Sequence, residues 1–254
     1  MHSSFNFSDQ ARLFDIALAI LEDYNITTWS LGGGTTLSLL YYRHRLSYDI
    51  DIFIESFGEI QRILDHQEEI AANLGIDRNA ILSSPTGVTF VLDDEAHGLK
   101  LDFVYSPALT SKPFVQRDVF DHSDVRVQTP LEIVAKKLKF REKATIRDFV
   151  DYAIAEEKEG LLSKLRTENV VDMERYFDLI EKFDSISKTL FDEELRWLIP
   201  NADISKETFA DTIYGLMKPK DKTIQVAIDP SGEVVAFDEF IPAYQEHYLS
   251  LIHI

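Results

Sequence analysis

Apolar residues return every three or four positions between Ser8 and Tyr24, at Leu13, Ile16, Ala17, Ile20 and Leu21, which predicts an amphipathic helix with Ser8 as its candidate cap. The pattern then changes. Thr28-Trp29-Ser30-Leu31, the glycines Gly32 to Gly34, and Thr35 to Tyr42 read as a short strand, a tight turn and a helix. From Ser47 to Ile54 the alternation is strict. Tyr48, Ile50, Ile52 and Ile54 fall on one side and Ser47, Asp49, Asp51 and Phe53 on the other, as in a half-buried strand. A helix is predicted from about Phe57 to Asn73. Two strand-like runs follow, Gly87 to Leu92 and Leu99 to Tyr105, joined through the turn-rich Asp93 to Gly98 as an antiparallel hairpin.

Thr129-Pro130-Leu131-Glu132 combines a capping box with proline at the first helical position, so a helix should begin there and run to about Lys143; a second follows from about Ile146. Beyond Glu159 the pattern is mostly that of amphipathic helices, including Val170 to Phe183 and Ser205 to Met217. Thr223 to Ile228, Asp229-Pro230-Ser231-Gly232 and Glu233 to Phe237 form the one hairpin pattern there. The charged, glycine-ended Glu156-Glu157-Lys158-Glu159-Gly160 suggests a junction, dividing the chain into residues 1–158 and a mainly helical 159–254.

With 254 residues, 45% of them apolar, the chain can bury a substantial core. Its 44 acidic against 26 basic residues give a net charge of −18, so a polyanion or an anionic membrane is repelled at long range and must be bound locally. There is no cysteine, which removes disulfides, thiolate catalysis and cysteine-ligated zinc, and suits a cytoplasmic protein. Leu13 to Leu21 is interrupted by Asp15 and lacks a basic leader, so neither a signal peptide nor a membrane span is expected.

Two adjacent carboxylates on one strand face, Asp49 and Asp51, repel unless a cation sits between them, and magnesium suits such oxygens and shares its remaining positions with phosphate and water. Asp102 lies in a strand able to pair beside the first and aim a third acid at the same point. An exposed acidic strand face is the plain alternative. The glycine turn ahead of Thr35 and Thr36 offers backbone amides to phosphate oxygens, or is simply a tight turn. It matches neither G-x-G-x-x-G nor a P-loop. Lys136, Lys137, Lys139, Arg141, Lys143 and Arg147 stand against the single acid Glu142, which is either a solvated basic face or a clamp on a triphosphate or an RNA backbone. The seven histidines show no metal-ligand spacing, and His44 alone lies near these motifs.

Gly33-Gly34-Thr35, followed by Arg45-Leu46-Ser47-Tyr48-Asp49-Ile50-Asp51-Ile52-Phe53, resembles the opening motif of the AbiEii/AbiGii toxin family of nucleotidyltransferases, within the DNA polymerase β-like superfamily. Lys100-Leu101-Asp102-Phe103, Leu131 to Leu138 and Arg147-Asp148-Phe149-Val150-Asp151 resemble its later elements. The resemblance implies an α+β fold: a minimal nucleotidyltransferase core, with a mixed sheet and flanking helices, followed by a helical domain. It implies an NTP donor and Mg2+ or Mn2+ held by Asp49, Asp51 and Asp102, the last also activating the attacking hydroxyl. Gly33, Gly34, Thr35, Arg45 and Ser47 would meet the nucleotide. Lys137 would neutralise the triphosphate, and Asp148 would orient that lysine or the acceptor. Neighbouring helical residues point about 100° apart and cannot face one phosphate together, and of the two the resemblance favours Lys137, which immediately precedes Leu138 of the family motif. The acceptor implied is a tRNA 3′ end or a protein, and the genetic partner an antitoxin. A non-catalytic binding protein, or a small-molecule nucleotidyltransferase of the antibiotic-modifying type, are the competing expectations.

Overall fold

The computed structural model of the chain describes residues 7–93, 98–199 and 204–215, together with the short strands 226–228 and 234–236. Helix α1 (Ser8–Asp23) begins at Ser8 itself, with Phe7 in the cap position, and buries the predicted stripe with Phe14 added and Ile16 only half-covered. Strand β1 (Trp29–Gly32) enters a single helical turn, α2 (Gly33–Thr36), which widens into a π-helical turn over Leu37–Tyr42. That turn stops at Arg43, whose φ of 50° lies in the left-handed region and costs roughly 1–2 kcal/mol for a residue with a Cβ. Strand β2 (Ile50–Ile54) starts three residues later than predicted. Before it, the Leu46 amide donates to the Leu198 carbonyl at 2.8 Å, and the Ser47 carbonyl accepts from Gln10 Nε2 at 2.7 Å. Helices therefore hold this backbone, and Asp49 arrives from a loop.

The predicted helix after Phe57 is two, α3 (Phe57–Asp65) and α4 (Gln67–Leu74). They part at His66, whose imidazole donates to the Arg62 carbonyl at 2.8 Å, the acceptor its own amide would take in a continuous helix. Strands β3 (Ile81–Ser84), β4 (Gly87–Asp93) and β5 (Leu99–Tyr105) follow, with β4 and β5 paired antiparallel as expected; residues 94–97 of their turn lie outside the described residues. The hairpin β6 (Phe114–Val119) and β7 (His122–Gln128) was not legible in the pattern. Strand β6 forms the sheet edge and is mostly exposed, so it needs few apolar residues.

The seven strands are ordered β3-β4-β5-β2-β1-β7-β6, with β2/β5 and β1/β7 parallel and the other neighbours antiparallel. This is the expected mixed sheet. Ile50, Ile52, Ile54, Phe90, Leu101 and Phe103 form one core with α1 and with Ile60 and Ile63 of α3. The alternate residues of β2 and β5, including Asp51, Phe53 and Asp102, take the opposite face.

Helices α5 (Pro130–Phe140), α6 (Ile146–Glu159), α7 (Leu161–Thr167), α8 (Met173–Ser185), α9 (Lys188–Leu198) and α10 (Lys206–Gly215) share a second core, joined by Leu37. The expected junction near 158 lies inside this core: Gly160 ends α6 and starts α7, and Glu156 accepts from the Ser163 amide across it at 3.0 Å. Helix α5 stops at Phe140, short of Lys143, because Arg141 becomes extended ahead of the two-sided capping box between Thr145 and Asp148 that opens α6. The C-terminal hairpin is present as β8 (Val226–Ile228) and β9 (Val234–Ala236), while its turn, 229–232, lies outside the described residues. No described helix is long and apolar enough to cross a membrane.

At the head of α5, Thr129 caps Glu132 N–H, but Glu132 does not reach back. Its fully buried carboxylate accepts from the amides of Leu109 and Thr110 and the Thr110 hydroxyl, at 2.7–3.2 Å, and stands 3.4 Å from Lys136 Nζ. Glu132→Ala leaves those amides without an acceptor and Lys136 without its carboxylate. It should lower unfolding free energy by about 3 kcal/mol in urea titrations, with Glu132→Gln less affected. An unchanged midpoint in Glu132→Ala would show that this carboxylate does not hold the loop.

Candidate active site

Asp51 of β2 and Asp102 of β5 are direct register partners on adjacent parallel strands, so two carboxylates leave the same sheet face side by side. Asp49 approaches from the preceding loop. Burial, then Asp102 and Asp49, push the Asp51 carboxyl up to about 8, against the pull of Lys137 and Arg141. Burial also raises Asp102, opposed by a hydrogen bond from the Thr89 hydroxyl on β4, and Asp49 adds to the rise. Asp49 itself is raised by burial, with Lys100, Arg147, Arg45 and Arg141 pulling the other way. All three acids remain half-buried. Ionised together without a cation, they are in mutual conflict.

Gly33 makes this crowding feasible. Its φ is +77°, and a Cβ built there would lie 1.8 Å from Asp51 Oδ2. Gly34 is under the same constraint from another side chain, since its Cβ would fall 2.1 Å from Arg45 Nη2. The glycines thus have an architectural reason within the protein itself. The Thr35 hydroxyl, buried, donates to Ser47 Oγ at 2.7 Å, which leaves the Ser47 hydrogen for another acceptor.

The predicted basic stretch divides. Lys136 and Lys137 are both buried, pointing to different partners as their helical spacing requires. Lys136 donates to the Ser106 carbonyl at 3.2 Å and lies 4.6 Å from the centre of the Phe53 ring. Lys137 Nζ stands between two carboxylates of α6, 2.7 Å from Asp148 Oδ1 and 3.0 Å from Asp151 Oδ2. Arg141 Nε is 3.4 Å from Asp148, whereas Lys139, Lys143 and Arg147 are exposed. Burial would raise the Asp148 carboxyl, but Lys137, Arg141 and the Thr145 amide outweigh it and hold it below the usual range. Burial likewise opposes ionisation of Asp151, yet Arg45, Lys137 and His44 bring it well below that range.

Arg45 is buried, with its guanidinium fork on Asp151 and a further donor on the Leu46 carbonyl. His44 Nε2 lies 2.7 Å from the same carboxylate. These two pairings, the Thr89 hydroxyl and Lys100 on the strand of Asp102 were not singled out by sequence. The alternation that exposes Asp102 also places Lys100 on its face; no local pattern reveals that Arg45 reaches Asp151.

Among the described residues no three acidic or imidazole groups already close around one point. The donors nonetheless fit a divalent cation. Magnesium is commonly held by one or two carboxylates with waters and substrate phosphates, and Asp51 and Asp102 supply an adjacent oxygen pair whose repulsion such an ion relieves.

The sequence profile described as nucleotidyl transferase AbiEii toxin, type IV toxin–antitoxin system, matches residues 20–223. No curated protein matches. Among solved structures, JHP933 from Helicobacter pylori aligns over 99% of this chain and 100% of its own at 17% identity, TM-score 0.41. MenT4, a nucleotidyltransferase toxin from Mycobacterium tuberculosis H37Rv, aligns over 84% and 87% at 15% identity, TM-score 0.44. The antibiotic-resistance factor ANT(2'')-Ia aligns over 69% and 97% at 17% identity, TM-score 0.40.

The raised acid has a stability signature. Folded Asp51 keeps its proton up to about pH 8, while the unfolded chain releases it near pH 4, so folding takes up a proton between those values and stability falls as pH rises. In excess chelator, the melting temperature of the wild type should decline from pH 5 towards pH 8 more steeply than that of Asp51→Asn. Identical slopes would remove Asp51 as the conflicted group.

Proposed function

The chain belongs to the AbiEii family of nucleotidyltransferase toxins, and we propose that it transfers a nucleoside monophosphate from an NTP to a hydroxyl acceptor at Asp49, Asp51 and Asp102. The side-by-side register of Asp51 and Asp102, within the electrostatic reach of Lys137, carries this reading. The acceptor proposed is a tRNA 3′ end or a protein, and a cognate antitoxin is the expected partner. The chemistry rests on residues before 159, with the described helices α7 to α10 completing the helical core that holds α5 and α6.

Asp49, Asp51 and Asp102 would hold magnesium or manganese, which would supply Lewis-acid neutralisation of charge at the reacting phosphorus. Asp102 has one oxygen engaged by Thr89 and a raised proton affinity, so its other oxygen is suited to take the proton of the attacking hydroxyl. The hydroxyl oxygen bonds to the α-phosphorus as the bond to the β-phosphate oxygen breaks, and pyrophosphate leaves with that electron pair. Lys137 has three donors. Two are directed to Asp148 and Asp151, and the third is assigned to the departing pyrophosphate. The Ser47 hydroxyl and the amides of Gly33, Gly34 and Thr35 are proposed to meet the phosphates.

Transfer of label from each NTP to tRNA, protein and aminoglycoside acceptors tests the reading. Asp49→Ala and Asp51→Ala should each lose at least about a hundredfold in rate. Gly33→Ala, whose Cβ must displace Asp51, should do the same. Lys137→Ala should lower kcat more than it raises KM for NTP, while Lys136→Ala should shift the melting temperature and spare kcat. Full activity of Asp51→Ala, or of wild type in excess chelator, excludes the proposed site.

A further inference from the structure

We infer that Arg45 is a positioning residue, which sets the Lys137 ammonium through the carboxylate of Asp151. The inference rests on the reading that Lys137 meets the triphosphate. It assigns Arg45 a task other than contact with the nucleotide.

Asp151 is fully buried and saturated with donors. Its Oδ1 receives His44 Nε2 and Arg45 Nε, each at 2.7 Å, and its Oδ2 receives Arg45 Nη2 and Lys137 Nζ, each at 3.0 Å. A carboxylate has no proton of its own to give, so His44 carries its hydrogen on Nε2. The bidentate fork fixes the plane of the Asp151 carboxylate, and that plane decides where Oδ2 stands. Lys137 is held at that oxygen and at Asp148 Oδ1, which aims its third donor. Asp148 has its own support, because its Oδ2 accepts from the Thr145 amide and hydroxyl, each at 2.9 Å. Arg45 supplies the corresponding support for Asp151.

Charge gives the second reason. Arg45 and Lys137 balance Asp148 and Asp151, so the lysine is not captured by two uncompensated carboxylates. Without Arg45, Asp151 is left short of a cation and draws the ammonium more strongly. Arg45 also belongs to the loop that delivers Ser47 and Asp49, and its Nη2 lies directly under Gly34. One side chain thus ties the acid-bearing loop to the helix that holds the lysine's partners. The left-handed Arg43 immediately before His44 and Arg45 is a local strain that these two anchors offset.

Arg45→Lys keeps the charge but loses the planar fork, and is the informative variant because Arg45→Met abandons a buried carboxylate and is at risk of unfolding. With label transfer from NTP as the assay, Arg45→Lys should reduce kcat about tenfold or more with KM for NTP changed less than twofold. In an Asp151→Asn background the same substitution should produce no further loss, since the route from Arg45 to Lys137 is already cut. A raised KM at unchanged kcat means direct nucleotide contact and overturns the inference. So do losses that multiply in the double variant, or a lowered melting temperature with wild-type kcat. Lys137→Ala separates the two levels of argument. If it is impaired while Arg45→Lys retains full kcat, only the positioning role fails; if Lys137→Ala is itself fully active, the reading of Lys137 fails and this inference with it.

Discussion

Two carboxylates forced into register on neighbouring parallel strands set the terms for everything around them. Asp51 and Asp102 cannot turn away, because the residues flanking them, Ile50, Ile52, Leu101 and Phe103, are locked into the core on the other face of the sheet. A slip of one residue would bury the acids and expose the isoleucines, so packing energy holds the like charges together. The surroundings then accommodate that decision: Gly33 leaves room for Asp51, and Thr89 hydrogen-bonds Asp102. Neither removes the repulsion. The proposed divalent cation would.

The cationic half of the site is built differently. Lys137, Arg45, Asp148 and Asp151 form a buried set in which each charge has an opposite partner at hydrogen-bonding distance. Such sets are weak sources of stability but strong determinants of geometry, since removing one member strands another. Here they connect two cores. The loop leading to β2 belongs with the sheet and α6 with the helical cluster, and the Arg45–Asp151 pair spans them across a sequence separation of 106 residues. The acidic half is thus left in electrostatic conflict while the basic half is balanced and rigid. The proposed metal-bound triphosphate would reconcile the first half without disturbing the second.

Much of this was legible in the chain. The alternation around Ile50 and Leu101 identified both acid strands and their polar faces, because a half-buried strand writes its burial into every second residue. Thr129-Pro130 marked the start of α5, because a helix cap is local chemistry, and the pattern also placed the start of α6 near Ile146. The break at His66 was hidden, since it depends on an imidazole replacing one backbone donor. Strand β6 was hidden because an edge strand buries little. The role of Arg45 was hidden for a third reason: its motif placed it beside the glycine turn, but its partner lies on a distant helix. In the sequence the glycine turn suits either a phosphate cradle or a plain tight turn, and the structure adds that Asp51 and Arg45 already require those glycines.

The proposed site requires that the acid pair take up a divalent ion. Manganese binding, followed by the loss of its free-ion paramagnetic signal in the presence of a non-hydrolysable NTP analogue, measures this without turnover. The wild type should bind manganese with accompanying proton release, and Asp51→Asn and Asp102→Asn, each shown to be folded, should bind it at least about tenfold more weakly. Equal manganese affinity in all three proteins would contradict the central claim.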